Sequence, residues 1–377
     1  MTAVALMAQF AASGVDNLGA FAVSDADMEK IHEEVKTPYK YGMVIIPPKG
    51  EKVDDPVVFR HRDAWYMVIS HFDGKGYDTL LVRSEDLLHW ETKGSVLPKG
   101  GPGKWDCGQA AGWPILIDTE WGGSNEIKSF GGKYWMMYIG GAGSGYEPDP
   151  LATGVAWTDD PIAVKPWTRF EGNPVLHPHD RDARAFEQTT IYRHHVVEDP
   201  SRKFGGHFVS FYNGKSVFRR TDGRFVNQER VGMAVSDDLL HWKRFGDGAV
   251  ICDVLSNQRG ISGQPVIQRI GDIWVAFYFG YGWRADCSGA WETFACSRDL
   301  EHWTRWKGEP LVKPSEPYDS RHAHKPWVIK HDGIVYHFYN AVGNQGRGIA
   351  LATSRPLSAS RLPCAVNSFL QKRGENQ

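Results

Sequence analysis

Short apolar segments separated by turns recur along the chain. In each repeat an apolar segment, a glycine-containing turn and an aromatic-rich segment follow one another, and a further β-like segment comes after them. The five pairs are residues 56–59 with 65–69, 126–130 with 134–139, 189–192 with 207–212, 265–270 with 273–279, and 326–330 with 334–339. Runs of this length, rich in β-branched and aromatic residues and bounded by turns, are typical of antiparallel strands.

A second motif marks the end of each repeat. The sequence Ser-Glu-Asp-Leu-Leu-His-Trp at 84–90 returns in similar form at 236–242 and 297–303, with a degraded copy at 158–167 and a truncated one at 354–357. We interpret its Asp, His and Trp as structural, in the turn into an outer strand. A unit of three or four strands cannot bury both faces of its sheet alone, and radial packing of such units gives a β-propeller. The sequence therefore predicts an all-β fold, a five-bladed β-propeller.

Residues 1–40 differ from the rest and form an N-terminal extension, whereas residues 41–377 are predicted to form the propeller and catalytic domain. Residues 24–35 predict a short helix that Ser24 or Asp25 can cap, with Met28, Ile31 and Val35 on one face. That face could pack on the main domain or on a second subunit. A homodimer through the N-terminal segment is therefore one of two alternatives that the sequence leaves open.

Composition excludes several classes of protein. The formal net charge of -2 gives no electrostatic footprint for nucleic acid, and no run approaches the ~18 apolar residues that a membrane span needs. Five cysteines without a CxxC pair argue against a disulfide framework and a zinc ribbon, so no metal site is predicted from spacing. No Lys or Arg precedes the apolar part of the N-terminus, which favours a cytoplasmic location; a removed leader would make it periplasmic or secreted.

The first strand of each propeller blade lines a central channel, so the residues at its mouth share a concavity that suits a ligand. Aligning the five units places these residues at equivalent points: Asp55, Glu126, Gln188, Gln264 and Lys325, with Glu187, His322 and His324 beside them. Glycosidic cleavage needs one protonated carboxylic acid and one carboxylate. Asp55 and Glu187 are predicted to face each other across the channel, which favours the inverting arrangement. Asp106 and Glu126 are candidates for a neighbouring anion that keeps the acid protonated.

The Asp55-Pro56 dipeptide and the segment Glu187-Gln188-Thr189 resemble motifs of the five-bladed β-propeller glycosidases of glycoside hydrolase family 43 and its relatives, families 32, 117 and 130. The resemblance covers residues 41 to about 357. It implies an exo-acting hydrolase of oligosaccharides, active in polysaccharide degradation, with Asp55 as general base and Glu187 as general acid. It implies no required cofactor, although a structural cation in the channel would agree with it. The motif for the third acid of family 43 is absent, so that role stays open.

The segment 318–327 is similar to families 117 and 130, in which a histidine is implicated in acid catalysis and basic residues bind phosphate. His322 and His324 could thus donate a proton, bind substrate, hold a cation or support loops. A glycoside phosphorylase and a non-catalytic carbohydrate-binding propeller are the alternatives to a hydrolase. Tryptophans can stack on sugars, and arginines can bind a uronate or phosphate. The candidate substrate-binding residues are Gln188, Gln264, Lys325, Trp113, Trp283, Arg284, Arg321 and Asp319.

Overall fold

The computed structural model describes residues 21–220, 222–253, 259–357 and 364–365. A short helix, α1 (Asp25–Val35), precedes the strands, and the Ser24 side chain caps it by accepting a hydrogen bond from the Asp27 amide at 3.1 Å. The predicted apolar face of α1 is buried in the core of the same chain, so the packing on the main domain is the alternative that the structure shows. In the described residues, no helix is long and apolar enough to span a membrane.

Within the described residues, the strands form one 13-stranded sheet and two four-stranded sheets. The large sheet consists of three antiparallel units of four strands, joined by short parallel pairings, and one further short strand that pairs with the first strand of the chain, so there are five four-stranded units in all. The first strand is β1 (Tyr39–Ile46). Unit one contains β2 (Lys52–His61), β3 (Ala64–Phe72), β4 (Tyr77–Ser84) and β5 (Glu91–Leu97). Unit two contains β6 (Gln109–Pro114), β7 (Tyr134–Gly141), β8 (Ala152–Thr158) and β9 (Thr168–Arg169).

The remaining units follow the same order. Unit three contains β10 (Thr190–Glu198), β11 (Phe208–Arg219), β12 (Phe225–Ser236) and β13 (Lys243–Phe245). Unit four contains β14 (Gly260–Ile270), β15 (Ile273–Tyr281), β16 (Ala290–Ser297) and β17 (Thr304–Arg305). Unit five contains β18 (His322–His331), β19 (Ile334–Gly343), β20 (Gly346–Thr353) and β1, and β21 (Cys364–Ala365) pairs with β1. The pairing of β1 with β20 brings together the first strand of the chain and the third strand of unit five.

The repeated Asp-Leu-x-His-Trp segment forms the turn into the outer strand, as predicted. Asp86 Oδ1 accepts a hydrogen bond from the backbone amide of His89 at 2.8 Å. The ring Nδ1 of His89 lies 2.7 Å from Asp86 Oδ2. Trp90 is buried, and its indole donates to the carbonyl of Leu87 at 3.1 Å. The same contacts recur in the copies at 236–242 and 297–303. These residues therefore stabilise the fold rather than a binding site.

The first strands of four units carry a two-residue irregularity in the pairing with their second strands. The first residues of these bulges are Asp55, Tyr192, Gln264 and Lys325. Asp55, Gln264 and Lys325 have φ of 55°, 54° and 62°, in the left-handed region that residues other than glycine rarely adopt. Strained backbone of this kind clusters at functional sites, because the surrounding structure must hold it in place. The bulges therefore mark one end of the first strands as the place to look for chemistry.

The structure corrects two alignments at this end. In unit three the bulge position is occupied by Tyr192, whereas Gln188 precedes β10 and is exposed. In unit two the first strand is β6, so the segment 126–130 is not a channel-lining strand. It belongs to a loop at the opposite end of the first strands, where the backbone of Glu126 forms an isolated parallel β-bridge with that of Arg60. The predicted position of Glu126 at the channel mouth is therefore wrong.

Candidate active site

A cavity of about 280 Å³ lies at the bulged end of the first strands. Its walls combine acidic, basic and aromatic side chains from units two to five. The lining consists of Tyr146, Glu147, Tyr192, Glu229, Arg259, Ile261, Gln264, Phe279, Tyr281, Ala290, His322, His324, Lys325 and Arg347. A larger cavity of about 590 Å³ lies at the other end, near Glu120 and Arg269. Several of its charged side chains form surface ion pairs, such as Lys203 with Asp299, so we place the chemistry in the smaller cavity.

Lys325 is the central cation of the site. Its ammonium lies 3.4 Å from Asp54, 3.3 Å from Asp55 and 3.1 Å from Glu147. Burial alone would lower the pKa of Lys325, but Asp54, Asp55 and Glu147 outweigh it and hold that pKa well above the ordinary value. Lys325 therefore stays charged, and it fixes the Glu147 carboxylate in the cavity wall.

Asp54 is the buried carboxylate that binds several members of this cluster. It is fully buried and accepts hydrogen bonds from the hydroxyl of Tyr77 at 2.7 Å, that of Tyr146 at 3.1 Å and Arg347 at 2.9 Å. Burial alone would raise the pKa of Asp54, but the charges of Arg347 and Lys325 hold it well below its usual range. Asp54 thus orients two cavity-lining cations and one aromatic ring.

Glu229 and Glu147 are two carboxyl groups of the cavity that have different surroundings. Glu229 lies on β12, and the amide of Asn213 donates a hydrogen bond to its Oε2 at 2.8 Å. Burial raises the pKa of Glu229 to about 7; the charge of Glu147 adds to this rise, and the Asn213 hydrogen bond opposes it. Glu147, in the loop after β7, instead has the Lys325 ammonium beside it. The cavity therefore contains one carboxyl group with a pKa raised toward neutrality and a second one held beside an ammonium group.

The two cavity histidines are neutral. Nδ1 of His324 lies 3.1 Å from the carbonyl of Asn340, and its Nε2 lies 3.0 Å from Arg347. Because a carbonyl only accepts and a guanidinium only donates, we assign the proton to Nδ1. Burial, followed by the charges of Arg347 and Lys325, lowers the pKa of His324 well below its usual value. With both nitrogens engaged, His324 is a poor proton donor to a substrate.

His322 differs from His324 in one respect. Its Nδ1 accepts the amide of Ala290 at 3.1 Å, which places the proton on Nε2. Burial, with the charge of Arg347 next, lowers its pKa to about 4. His322 can therefore donate a hydrogen bond to a sugar hydroxyl as a neutral group.

Three predicted site residues belong to a repeated structural motif instead. Each is a buried acid that binds a base on the outer strand of its unit and lies next to a tyrosine on the second strand. The four members of the motif are Asp106 with Tyr138 and Arg169, Glu187 with Tyr212 and Arg244, Asp253 with Tyr278 and Arg305, and Asp319 with Tyr339 and Lys40. Because the motif recurs in four units, we interpret it as a structural contact that holds the strands of each unit together.

Glu187 therefore does not face Asp55. It is fully buried and bound to Arg244, whose Nη1 also binds Asp180 at 3.1 Å and Asp182 at 2.8 Å. Asp55 itself is 3% exposed and lies beside Lys325, but it is not part of the cavity lining. The predicted arrangement of these two carboxylates across a common channel is not present.

The other predicted residues divide into two groups. Gln264, Lys325, His322 and His324 line the cavity. Trp113 is buried and stacks on His194, and Trp283 donates to the carbonyl of Ile261. Arg284 pairs with Asp286, and Arg321 is exposed outside the lining. Within the described residues, the cavity thus contains four of the fourteen predicted site residues.

Sequence reasoning missed six chemically important residues of the cavity. They are Tyr146, Glu147, Tyr192, Glu229, Arg259 and Arg347. Glu229 lies on a hairpin that is long only in the structure, where β11 and β12 are 12 residues each and the equivalent strands of unit one have 9 and 8. Tyr192 would follow from the bulge register, which sequence alignment did not capture.

The acidic residues beside the cavity do not fit a structural cation. The carboxylates that would hold one, Asp54, Asp55 and Glu147, already surround the Lys325 ammonium. Another described cluster with metal-ligand character, Asp299, Glu301 and His302, belongs to the repeated turn described above. We therefore derive no chemical step through a metal.

The chain is similar to several known glycoside hydrolases. The family model described as "Glycosyl hydrolases family 32 N-terminal domain" matches residues 20–111. Sucrose-6-phosphate hydrolase of Salmonella typhimurium is 32% identical over 124 residues, which span 29% of this chain and only 27% of that protein. A family-43 glycoside hydrolase and a member of the GH130 family of mannoside phosphorylases, each 14% identical, have TM-scores of 0.54 and 0.58 and share the fold.

Two solved structures are much more similar. One is a BT0996 RGII complex, 43% identical, with a TM-score of 0.84 over 91% of this chain and 99% of that one. The other is described as a glycoside hydrolase, 42% identical, with a TM-score of 0.84 over 90% of this chain and 98% of that one. The protein therefore belongs to the glycoside hydrolase family that these two structures represent, and it has the β-propeller type of fold.

Proposed function

We propose that the protein is an exo-acting glycoside hydrolase in which Glu229 is the general acid and Glu147 the second catalytic carboxylate. The observation that carries this proposal is that the two carboxyl groups have contrasting surroundings within one cavity. Glu229 has a pKa of about 7, while Glu147 lies 3.1 Å from the Lys325 ammonium. We further propose that the five four-stranded units are the five blades of the propeller. The catalytic domain then begins at β1, which supplies the outer strand of the fifth blade.

The chemistry assigns one step to each carboxyl group. Glu229 gives its proton to the glycosidic oxygen, so that the leaving sugar departs as a neutral alcohol. Glu147 either attacks the sugar carbon or activates a water molecule, while Lys325 keeps it in place. The expectation of inversion rested on Asp55 and Glu187 facing each other, so it does not carry over to this pair. The anomer formed first, measured by ¹H NMR during turnover, decides between the two mechanisms.

We assign Asp55 a positioning role instead of the role of general base. It shares the Lys325 ammonium with Glu147 and Asp54 but is buried below the lining. Its backbone amide donates to the side chain of Asn340 at 2.9 Å, which holds the left-handed bulge in place. Asp55 thus acts on substrate through Lys325 and Glu147.

The cavity supports recognition of a single terminal sugar. Its volume of about 280 Å³ lies at the small end of the range of ligand pockets, which favours an exo-acting enzyme over one that binds the middle of a chain. Tyr146, Tyr192 and Tyr281 offer aromatic surface for the apolar face of a sugar. Since one relative was solved as an RGII complex, an oligosaccharide derived from RGII is the first substrate to test.

Two observations favour hydrolysis over phosphorolysis. Lys325 and Arg347 are each bound to carboxylates, so their charges are already balanced. His322 and His324 are neutral because burial lowers the pKa of both. The cavity therefore offers inorganic phosphate less positive charge than the sequence suggested. Product formation that does not depend on phosphate supports this choice.

A substrate panel with matched variants tests the proposal. Oligosaccharides that include RGII fragments are incubated with the wild type, Glu229→Gln, Glu147→Gln and Glu126→Gln, with and without phosphate. We expect a terminal sugar to be released without phosphate by the wild type and by Glu126→Gln, but by neither cavity variant. Activity that survives in both cavity variants would overturn the assignment. Tight binding without cleavage across the panel would identify a non-catalytic carbohydrate-binding protein instead.

A further inference from the structure

The hairpin formed by β11 and β12 extends well beyond the cavity. The two strands pair without interruption from Phe208 with Ser236 to Arg219 with Phe225. Each has 12 residues, whereas the equivalent strands of unit four have 9 and 8. The additional length lies at the end of the hairpin that carries Glu229. The hairpin therefore provides surface directly outside the proposed active site.

One face of this hairpin continues the wall of the cavity. Side chains alternate along a strand, so Phe225, Asn227 and Glu229 point to the same side of β12. Val217 lies directly opposite Asn227 on β11 and shares this face. With a rise of ~3.3 Å per residue, Phe225 is ~13 Å from Glu229 along the strand. A molecule that leaves the cavity past Glu229 would meet these side chains in turn.

This face carries the most exposed large apolar side chain of the described residues. Phe225 is 71% exposed and Val217 is 40% exposed, and only three other large apolar residues in the described ranges are exposed. Exposed apolar surface that continues a binding cavity marks an interaction site more often than an isolated surface residue does. Two such residues on one face, in line with the proposed acid, indicate a platform.

Polar groups flank the platform. Asn227 is half-buried beside Val217, and Arg219 lies opposite Phe225 at the outer end. Gly260 pairs with Gln228, which brings the neighbouring Arg259 to the edge of β12, where its guanidinium lies 5.1 Å from the ring centre of Tyr281. An aromatic surface with amide and guanidinium donors around it suits a sugar ring, which has an apolar face and a rim of hydroxyl groups.

We infer that the face formed by Val217, Phe225 and Asn227 binds the leaving-group part of the oligosaccharide, beyond the first sugar after the bond that is cleaved. This inference rests on the proposed function. A general acid must contact the glycosidic oxygen, so the leaving group extends away from the cavity on the side of Glu229. The strand that bears Glu229 leads along that path. The continuity with the cavity favours an oligosaccharide over a second copy of this chain as the occupant.

Two substrates with the same terminal sugar test the inference. One is an RGII-derived oligosaccharide that the wild type cleaves, and the other is an aryl glycoside of the sugar that is released. For Phe225→Ala we expect kcat/KM to fall about tenfold on the oligosaccharide, the loss typical of a central contact residue, and to stay unchanged on the aryl glycoside. Phe225→Tyr should recover most of the activity. Phe21→Ala, which removes another exposed phenylalanine, is the matched control.

Three results would overturn the inference that the hairpin face binds the leaving group. An equal loss on both substrates, or no loss on the oligosaccharide, overturns the inference. A dimer in size-exclusion chromatography that Phe225→Ala dissociates also overturns it, because the face would then bind a second copy. Glu229→Gln separates the two proposals. If that variant keeps full activity, the proposed function fails; if it loses activity while Phe225→Ala keeps full activity on both substrates, only the inference about the hairpin face fails.

Discussion

Lys215 Nζ lies 2.7 Å from Asp149 Oδ2, and this ion pair joins the two chain segments that carry the proposed catalytic pair. Asp149 follows Glu147 by two residues, and Lys215 pairs directly with Glu229 in the β11–β12 ladder. The hydroxyl of Thr190 also donates to Asp149 at 2.5 Å. The contact therefore fixes the positions of the two carboxyl groups relative to each other, and it brings a positive charge close to Glu229.

We expect Lys215→Met to move the alkaline limb of the kcat/KM profile to higher pH. A general acid must be protonated, so activity falls as the pH rises through the pKa of Glu229, about 7. The charge of Lys215 lowers the pKa of Glu229. Removing this charge should therefore raise that pKa and move the alkaline limb of the profile to higher pH. The measurement is a pH profile at constant ionic strength. Lys215→Arg keeps the charge and serves as the control; an unmoved limb in the Met variant contradicts the prediction.

The loss of activity in Glu229→Gln should depend on the leaving group. General acid catalysis contributes about 10²–10⁴-fold, so kcat on an oligosaccharide should fall by that factor. An aryl glycoside with an acidic phenol needs no proton for departure and should lose far less. Glu147→Gln is the comparison, because the second carboxylate is required for either leaving group. Equal losses by Glu229→Gln on both substrates would argue against its role as the acid.

The Glu229→Gln variant should be more stable than the wild type at alkaline pH. The pKa of Glu229 is raised from 4.5 to about 7 in the folded protein, so folding binds a proton between these values, and stability falls as the pH rises through this window. Gln cannot ionise and avoids this loss. Since one pKa unit corresponds to about 1.4 kcal/mol and Glu229 is partly exposed, we expect a gain of about 2 kcal/mol at pH 8. Urea unfolding should show no gain at pH 4.5; a constant difference at both pH values would refute the linkage.

The sequence was sufficient to predict the repeating units and to align Asp55, Gln264 and Lys325, which the structure places at bulges. In units one, four and five a proline follows the bulge residue, at Pro56, Pro265 and Pro326, so the alignment there is visible. Unit three has Arg193 at that place, and the alignment shifted by four residues to Gln188. The alignment of unit three was therefore wrong because this unit has no proline after its bulge residue. As a result, Glu187 was placed next to the channel position and predicted to be the general acid.

The proposed catalytic pair, Glu147 and Glu229, could not be predicted from local patterns. Glu147 lies in an irregular loop, and Glu229 lies on a third strand, where the repeat indicated only outer structure. They meet because the loop after β7 is bound to the long hairpin through Asp149 and Lys215. Contacts between distant segments of this kind leave no periodic signal.

Glu187→Gln should reduce stability while preserving catalysis. The change leaves the guanidinium of Arg244 buried without its closest carboxylate, and breaking a buried ion pair typically costs ~3–5 kcal/mol. Because Asp180 and Asp182 still contact Arg244, we expect a loss of about 2–3 kcal/mol in the free energy of unfolding. The variant should keep wild-type kcat and KM per folded molecule, measured well below its melting temperature.

Asp106→Asn provides a matched comparison, since Asp106 occupies the same place in unit two and binds Arg169 at 2.7 Å. It should behave like Glu187→Gln, with lower stability and unchanged kinetics. A double variant, Glu187→Gln with Arg244→Met, should recover part of the lost stability, because it removes the unpaired charge as well. If Glu187→Gln instead abolished turnover without changing the unfolding curve, the repeated acid–tyrosine–base motif would be more than structural, and the catalytic acid would have to be sought in unit three.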